Sequence, residues 1–366
     1  VKKSVVLDLV LIVVACCLWA QNTRAATDTQ SVTTIQKGLA FLYNTQDAGG
    51  FWNASGYEHA ATGAAVFAFV TQQDKWGGNT TAYQAAVDKA MKYLVSTATS
   101  SNVSSRNDHV NICPGGSASC KAVYWLDTAD STYATGLIAQ AVAVYGSKLG
   151  GNAVATTSGP LAGMTWGQIA QAITNAFAAS QSTSANGDRE GGWHNFPGDG
   201  DSDSPATQAA VTSFLYDETL GAVTPGAVKD GLKVWLGRVQ NTAGAVCFQP
   251  GTEPCDHANT GGWLLAMRLV GYDLNNPQVQ ATLTFLNKNW QSTANNIAYG
   301  NFGHPYAMWA VYQGLETTIG LNDSTNITNL LTDCGAAGNK SQGNPAELVS
   351  CTWSEDYNEW LAKNQK

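Results

Sequence analysis

Charge is scarce in this sequence and positive charge scarcer still: 13% of its residues are charged, with 19 Lys and Arg against 27 Asp and Glu, for a net charge of −8. A chain so poor in cations builds no basic patch, which excludes nucleic acid and anionic membrane surfaces as partners. No two cysteines stand in Cys-x-x-Cys spacing, so the sequence offers no zinc–cysteine motif. The low charge, with 37 Gly, 12 Trp and 13 Tyr among 366 residues, also excludes a coiled coil or a disordered chain. What remains is a chain able to bury a large core, as one large domain or two ordinary ones.

The N-terminus reads as an export signal. Lys2 and Lys3 precede an apolar run over 5–19 that Asp8 interrupts and that is short for a membrane span. Thr23-Arg24-Ala25 places small residues where a signal peptidase reads, so residues 1–25 are expected to be removed. The alternative is a lipoprotein box at Val13-Val14-Ala15-Cys16, which would leave the protein lipid-anchored through Cys16. Either route gives a secreted or periplasmic protein without a transmembrane anchor after processing. Lys2, Lys3 and Arg24 against Asp8 carry a net +2, so the exported part, 26–366, carries −10. Its six cysteines form three close pairs, and an even number in an exported chain predicts the disulfides Cys113–Cys120, Cys247–Cys255 and Cys334–Cys351.

Along the mature chain one unit repeats. An amphipathic helix at 34–45 (Ile35, Leu39, Leu42) leads through Gln46-Asp47-Ala48-Gly49-Gly50-Phe51-Trp52 into a helix at 58–71 that is Ala-rich and apolar on nearly all sides. The pairs 82–96 with 132–145, 166–180 with 205–216, 225–239 with 260–270, and 278–290 with 305–319 follow the same order: outer helix, loop, buried inner helix. The cysteine pairs fall in what read as loops. An outer-type sixth helix, 355–364, has no inner partner after it, so the chain reads as ending one half-repeat early.

Gln46 to Trp52, with degenerate copies at Gly191-Gly192-Trp193 and Gly300-Asn301-Phe302, resembles the Gln…Gly-x-Trp repeat of the squalene-hopene cyclase and protein prenyltransferase superfamily. The resemblance covers about Gln36 to the C-terminus. It implies an all-α fold, an α/α toroid of five helical hairpins plus a partial sixth, with a cavity at one end; it implies much less about activity.

If the inner helices run in one direction, their N-termini meet at one mouth of the ring. That gathers Glu58 and His59, Asp130 and Tyr133, Asp201 and Asp203, Asp256 and His257, and His304 and Tyr306. Three readings of this mouth compete. In cyclases of the superfamily the middle Asp of Asp-x-Asp-Asp donates the initiating proton; Asp201-Ser202-Asp203-Ser204 matches at the first and third positions and departs at the fourth, which by resemblance makes Asp203 the acid and Asp201 its helper. The ligand would then be an apolar small molecule of terpenoid type. In prenyltransferases Asp, Cys and His hold zinc, and Asp256 and His257 occupy a comparable start, although Cys255 reads as half of a disulfide; Asp199-Gly200-Asp201-Ser202-Asp203 also has the alternation of a calcium loop, with Ala210 where the closing Glu belongs. Zinc or calcium is therefore compatible, and neither is required. The third reading is glycan chemistry, with paired carboxylates at the mouth and Trp52, Trp125, Trp193 and Trp263 as stacking surfaces. Against all three stands a non-catalytic binding or envelope scaffold, in which Asp201 and Asp203 are helix caps, His59, His257 and His304 are satisfied structural side chains, and the tryptophans wedge outer helices onto inner ones.

Overall fold

The computed structural model describes residues 28–128, 130–194, 198, 200–290, 300–330 and 352–364. The expected leader with Cys16, Asp199, and the pair Cys334–Cys351 lie outside the described residues. Within them the chain alternates between outer and inner helices. The outer set is α1 (Asp28–Thr45), α3 (Thr80–Thr97), α5 (Trp166–Ser180), α7 (Gly226–Val239), α9 (Pro277–Lys288) and α11 (Trp353–Asn364). The inner set is α2 (Glu58–Thr71), α4 (Ser131–Leu149), α6 (Ser204–Glu218), α8 (His257–Leu269) and α10 (Pro305–Thr318). This is the all-α toroid of five hairpins and a sixth outer helix that the repeat implies.

The outer helices bury one stripe and expose the rest. On α3 the stripe is Tyr83, Val87, Met91 and Leu94, and on α7 it is Val228, Leu232, Trp235 and Val239. The inner helices are buried nearly all round because each has neighbours on several sides: α2 packs on α4, α4 on α6, α6 on α8 and α8 on α10, with outer helices behind them. At the far side α11 packs against α1, closing the outer layer.

Small residues set how close the inner helices come. A Cβ on Gly63 of α2 would stand 2.9 Å from the Ile138 nitrogen of α4, one on Gly136 2.7 Å from the Ala209 oxygen of α6, and one on Gly261 of α8 2.4 Å from the Val311 nitrogen of α10. Each contact joins positions at similar depth from the two N-termini. An early contact, Gln208 of α6 with Gly262 of α8, and late ones, Phe67 of α2 with Tyr216 of α6 and Arg268 of α8 with Thr317 of α10, likewise join similar depths, so the inner helices are parallel and their N-termini share one end.

The turn from outer to inner helix is held the same way in successive hairpins. The Trp52, Trp125 and Trp193 indoles donate to the outer-helix carbonyls of Leu42, Leu94 and Phe177 at 2.9, 2.7 and 2.8 Å. Their backbone N–H groups donate to inner-helix threonines, Thr62, Thr135 and Thr207, at 3.1, 3.1 and 3.0 Å; Val246 takes that place before Thr260 at 2.9 Å. A glutamine ends the outer helix in three of the hairpins. Gln46, Gln181 and Gln240 each donate to a glycine carbonyl of their own loop and to the next outer helix, at Ala86, Val228 and Gln278.

Two of the long loops contain strands where the sequence reads as loop only. Strand β1 (Thr99–Val103) pairs antiparallel with β2 (Cys120–Tyr124), and β3 (Val246–Gln249) with β4 (Thr252–Asp256). Two of the three expected disulfides, Cys113–Cys120 and Cys247–Cys255, close these ribbons.

Candidate functional site

Four of the five inner helices start with a residue whose own side chain accepts from the first free N–H groups. Asp130 accepts from Thr132 and Tyr133 at 2.8 and 3.3 Å, Asp203 from Ala206 at 2.7 Å, Asp256 from Asn259 at 2.8 Å, and His304 through Nδ1 from Ala307 at 3.1 Å. Helix α2 has no such cap from its own preceding residue. Its donors are met by Asp127, which lies just before α4: the two carboxylate oxygens take the His59 and Ala60 N–H groups at 3.2 and 3.0 Å, and one also meets His59 Nδ1 at 2.7 Å. Asp127 was not singled out in the sequence because its partners are 67 and 68 residues away.

Below this crown the inner helices leave stripes of partly accessible residues: Tyr133, Leu137 and Val144 on α4, Pro205, Ala209 and Tyr216 on α6, and Tyr306 and Trp309 on α10, with the exposed Glu316 two turns further on. The spacing is that of one helix face. These faces look into the ring, since Tyr216 meets Phe67 of α2 with ring centres 5.4 Å apart, and the Tyr306 hydroxyl donates to Gln208 Oε1 of α6 at 2.7 Å. The ring centre, the lumen of the toroid, is thus faced mainly by apolar and aromatic side chains, with two phenols at the end where the carboxylates stand.

The electrostatics follow from that placement. Burial raises Asp203 to about 6, and the nearby Asp130 and Asp201 charges add to it; the Ala206 N–H and His194 oppose the rise without cancelling it. Asp256 is likewise raised by burial to about 6 against its own capping hydrogen bonds. The Tyr133 and Tyr306 phenols are pushed well up, first by burial, then by Tyr306 and Asp203 at Tyr133, and by Asp256 and Asp203 at Tyr306. Burial lowers His304, and its Nδ1 is already an acceptor, so it is a neutral imidazole with Nε2 protonated. Two carboxyl groups that keep their protons up to about pH 6 therefore stand near two un-ionised phenols, an arrangement suited to delivering a proton to a neutral ligand.

Not every expected residue joins them. Asp201 turns outward and pairs with Arg189 Nε at 3.1 Å, so it is no buried partner for Asp203. His257 Nε2 lies 3.0 Å from the Asn289 carbonyl at the end of α9, while the Asp256 carboxylate caps α8 through the Asn259 N–H. Among the described residues no group of three or more His, Cys, Asp and Glu could hold a metal ion. His59 stacks on Tyr93 of α3 with centres 5.5 Å apart, and Glu58 lies in the first turn of α2 close enough to raise the Tyr93 phenol. Trp52, Trp125 and Trp193 are buried pins, and Trp263 is buried on α8, so none offers a face on which a sugar could stack. Gln208, which the sequence reading passed over, belongs to the site instead.

No protein-family model and no curated protein matches the chain. Among solved structures it is similar to the apo form of a type II terpene cyclase, MstE from Scytonema, at 10% identity and a TM-score of 0.44 over 84% of this chain and 86% of that one. The toroid itself is established by the helix packing described above. No helix among the described residues is long and apolar enough to cross a membrane.

Proposed function

We propose that this chain is an exported, cyclase-like toroid that takes an apolar molecule of terpenoid type into its lumen, where Asp203 is the proton donor. The observation that carries this reading is the position of Asp203: a buried carboxyl raised to about 6, at the end of a lumen lined by Leu137, Ala209, Tyr216 and Trp309. Proton transfer from its hydroxyl to an alkene or an oxygen of the ligand, with a proton lost again after ring closure, is a net isomerisation and consumes no co-reactant. The described residues at the inner N-termini are mainly carboxylates, phenols and imidazoles, and the one arginine that reaches them, Arg189, is paired with Asp201, which disfavours an anionic substrate such as a polyuronate. The disulfides of the two ribbons accord with an oxidising compartment.

The experiment is incubation of the purified protein with linear isoprenoid alkenes and epoxides, followed by chromatography and mass spectrometry for products of unchanged mass and altered retention. Conversion by the wild type that Asp203→Asn abolishes is the expected result; conversion that survives the substitution would exclude Asp203 as the acid. A non-catalytic binding toroid is the second reading, favoured by the contacts Phe67–Tyr216 and Tyr306–Gln208, which narrow the lumen. Retention of a ligand unchanged under the same conditions would select it.

A further inference from the structure

Gln208 is almost fully buried on α6, one turn beyond the capping Asp203. Its carboxamide is held at one end only. Oε1 accepts from the Tyr306 hydroxyl at 2.7 Å, while Nε2 has no hydrogen-bond partner among the described residues. The side chain lies against α8 where Gly262 leaves room for it: a Cβ there would stand 2.3 Å from Oε1 and 2.7 Å from Cγ. Buried amide nitrogens are nearly always paired, because leaving one unpaired forfeits its hydration with nothing in return. The Tyr133 phenol stands at the same end of the ring: it is close enough to Tyr306, the partner of Gln208, for the two phenols to interact electrostatically, and it makes no hydrogen bond among the described residues. A neutral amide donor and an un-ionised phenol at one end of the ring suit one kind of guest atom: an uncharged oxygen that accepts a hydrogen bond.

We propose that Gln208, fixed by Tyr306 and seated on Gly262, is a specificity-determining residue that selects ligands carrying a hydroxyl or carbonyl oxygen on an otherwise apolar skeleton. This rests on the lumen being the binding site, as proposed above. The ligand oxygen accepts from Nε2, and a ligand hydroxyl can donate in turn to Tyr133. A hydrocarbon of the same shape leaves Nε2 unpaired and is disfavoured, since a site built around a polar contact rejects the analogue that lacks it. The competing occupant of Nε2 is an ordered water, with which the residue selects nothing.

Binding of farnesol and of the hydrocarbon farnesene, each followed by quenching of tryptophan fluorescence, separates these cases in wild type and in Gln208→Leu. The expected result is farnesol affinity about tenfold weaker in Gln208→Leu with farnesene affinity unchanged or improved, since one neutral hydrogen bond is worth about that factor. Equal shifts for the two ligands, or none, would overturn the proposal while leaving the lumen as the binding site. Failure of both ligands to bind the wild type would instead remove the lumen reading and this inference with it. If Gln208→Leu does not fold, the same comparison in Tyr306→Phe decides: freeing the carboxamide lowers farnesol affinity and spares farnesene, and equal behaviour of the two ligands overturns the assignment.

Discussion

One oxygen of Asp203 takes the Ala206 N–H at 2.7 Å while the other stands 3.6 Å from His194 Nε2, too far for a hydrogen bond. The carboxyl is therefore fixed by the helix it caps and only weakly stabilised as an anion by the imidazole. Burial outweighs both and raises it from 3.8 to about 6. A folded pKa above the unfolded one means that its contribution to stability is complete below about pH 4 and is lost as pH rises through about 6. The shift is worth about 3 kcal/mol at 1.36 kcal/mol per unit. Asp203→Asn keeps a capping oxygen and removes the titration. Urea unfolding should therefore find the variant and the wild type similar at pH 4 and the variant more stable at pH 7, by up to about 3 kcal/mol. A variant less stable at pH 7 would show that the carboxylate is favoured by its surroundings.

Gly191 and Gly221 share a left-handed backbone, with φ 92° and 86°, and differ in what surrounds them. A Cβ on Gly191 would lie 1.9 Å from the Gly231 oxygen of α7, whereas one on Gly221 would meet open space. Gly221→Ala should cost only the backbone penalty, about 1–2 kcal/mol. Gly191→Ala must also push α7 away from the loop and should exceed about 4 kcal/mol or prevent folding. Thermal unfolding of the pair checks this, and equal losses would mean that the close approach is not needed.

Gln181 joins three segments from a fully buried position: its amide donates to the Gly191 and Val228 carbonyls at 2.9 and 3.0 Å, and its oxygen accepts from Arg106 at 2.7 Å. Gln181→Leu leaves two carbonyls and a guanidinium short of a partner, and should cost about 3 kcal/mol or more in denaturant unfolding. Gln84 bonds only Asp88 one turn along its own helix, and Gln84→Leu should change stability by no more than about 0.5 kcal/mol. That contrast distinguishes a tie between repeats from a surface amide.

Much of this architecture is visible in the residues. The stripe Val228, Leu232, Trp235 and Val239 has helical spacing, and the run from Ala60 to Val70, apolar on nearly all sides and broken only by Thr62 and Gly63, reads as an inner helix, so both layers were legible. Asp130, Asp203 and Asp256 were legible at the mouth because a capping side chain sits beside the helix it caps. Asp127 was not, since it caps a helix 68 residues away. Gln208 looks like an isolated polar residue among Ala and Thr, and only packing against Gly262 shows it to be buried and half-satisfied. The strand Thr99-Ser100-Ser101-Asn102-Val103 lacks the apolar alternation that marks a sheet, and its pairing with β2 follows from the ribbon geometry.

The interrupted cap of α2 makes a sharper test of long-range assembly. Asp127→Ala removes the acceptor for two backbone N–H groups and for the His59 ring, and should cost about 2 kcal/mol, at the upper end for a lost cap. Hydrogen exchange should locate the damage in the first turn of α2, not in α4, which keeps its own cap Asp130. Faster exchange at the start of α4 with α2 unchanged would contradict the arrangement.

The two described disulfides close loops of nearly equal length, with sequence separations of 7 and 8, so chain entropy assigns each about 2.5 kcal/mol. Their effects on the site should nevertheless differ. The Cys247 carbonyl accepts from the Ser204 hydroxyl at 2.7 Å, Gln249 donates to the Ser202 carbonyl at 3.0 Å, and β4 ends on Asp256. The Cys247–Cys255 ribbon thus holds both residues that flank Asp203 and delivers the second raised carboxylate, whereas the Cys113–Cys120 ribbon packs on α5. Replacing each pair by serine should lower stability by similar amounts. Only loss of Cys247–Cys255 should let water reach the mouth and bring Asp203 and Asp256 down from about 6 toward 3.8, as followed by carboxyl carbon NMR across pH 3–8. If both variants leave the two titrations in place, the caps alone fix the acids and the ribbon is dispensable to the site.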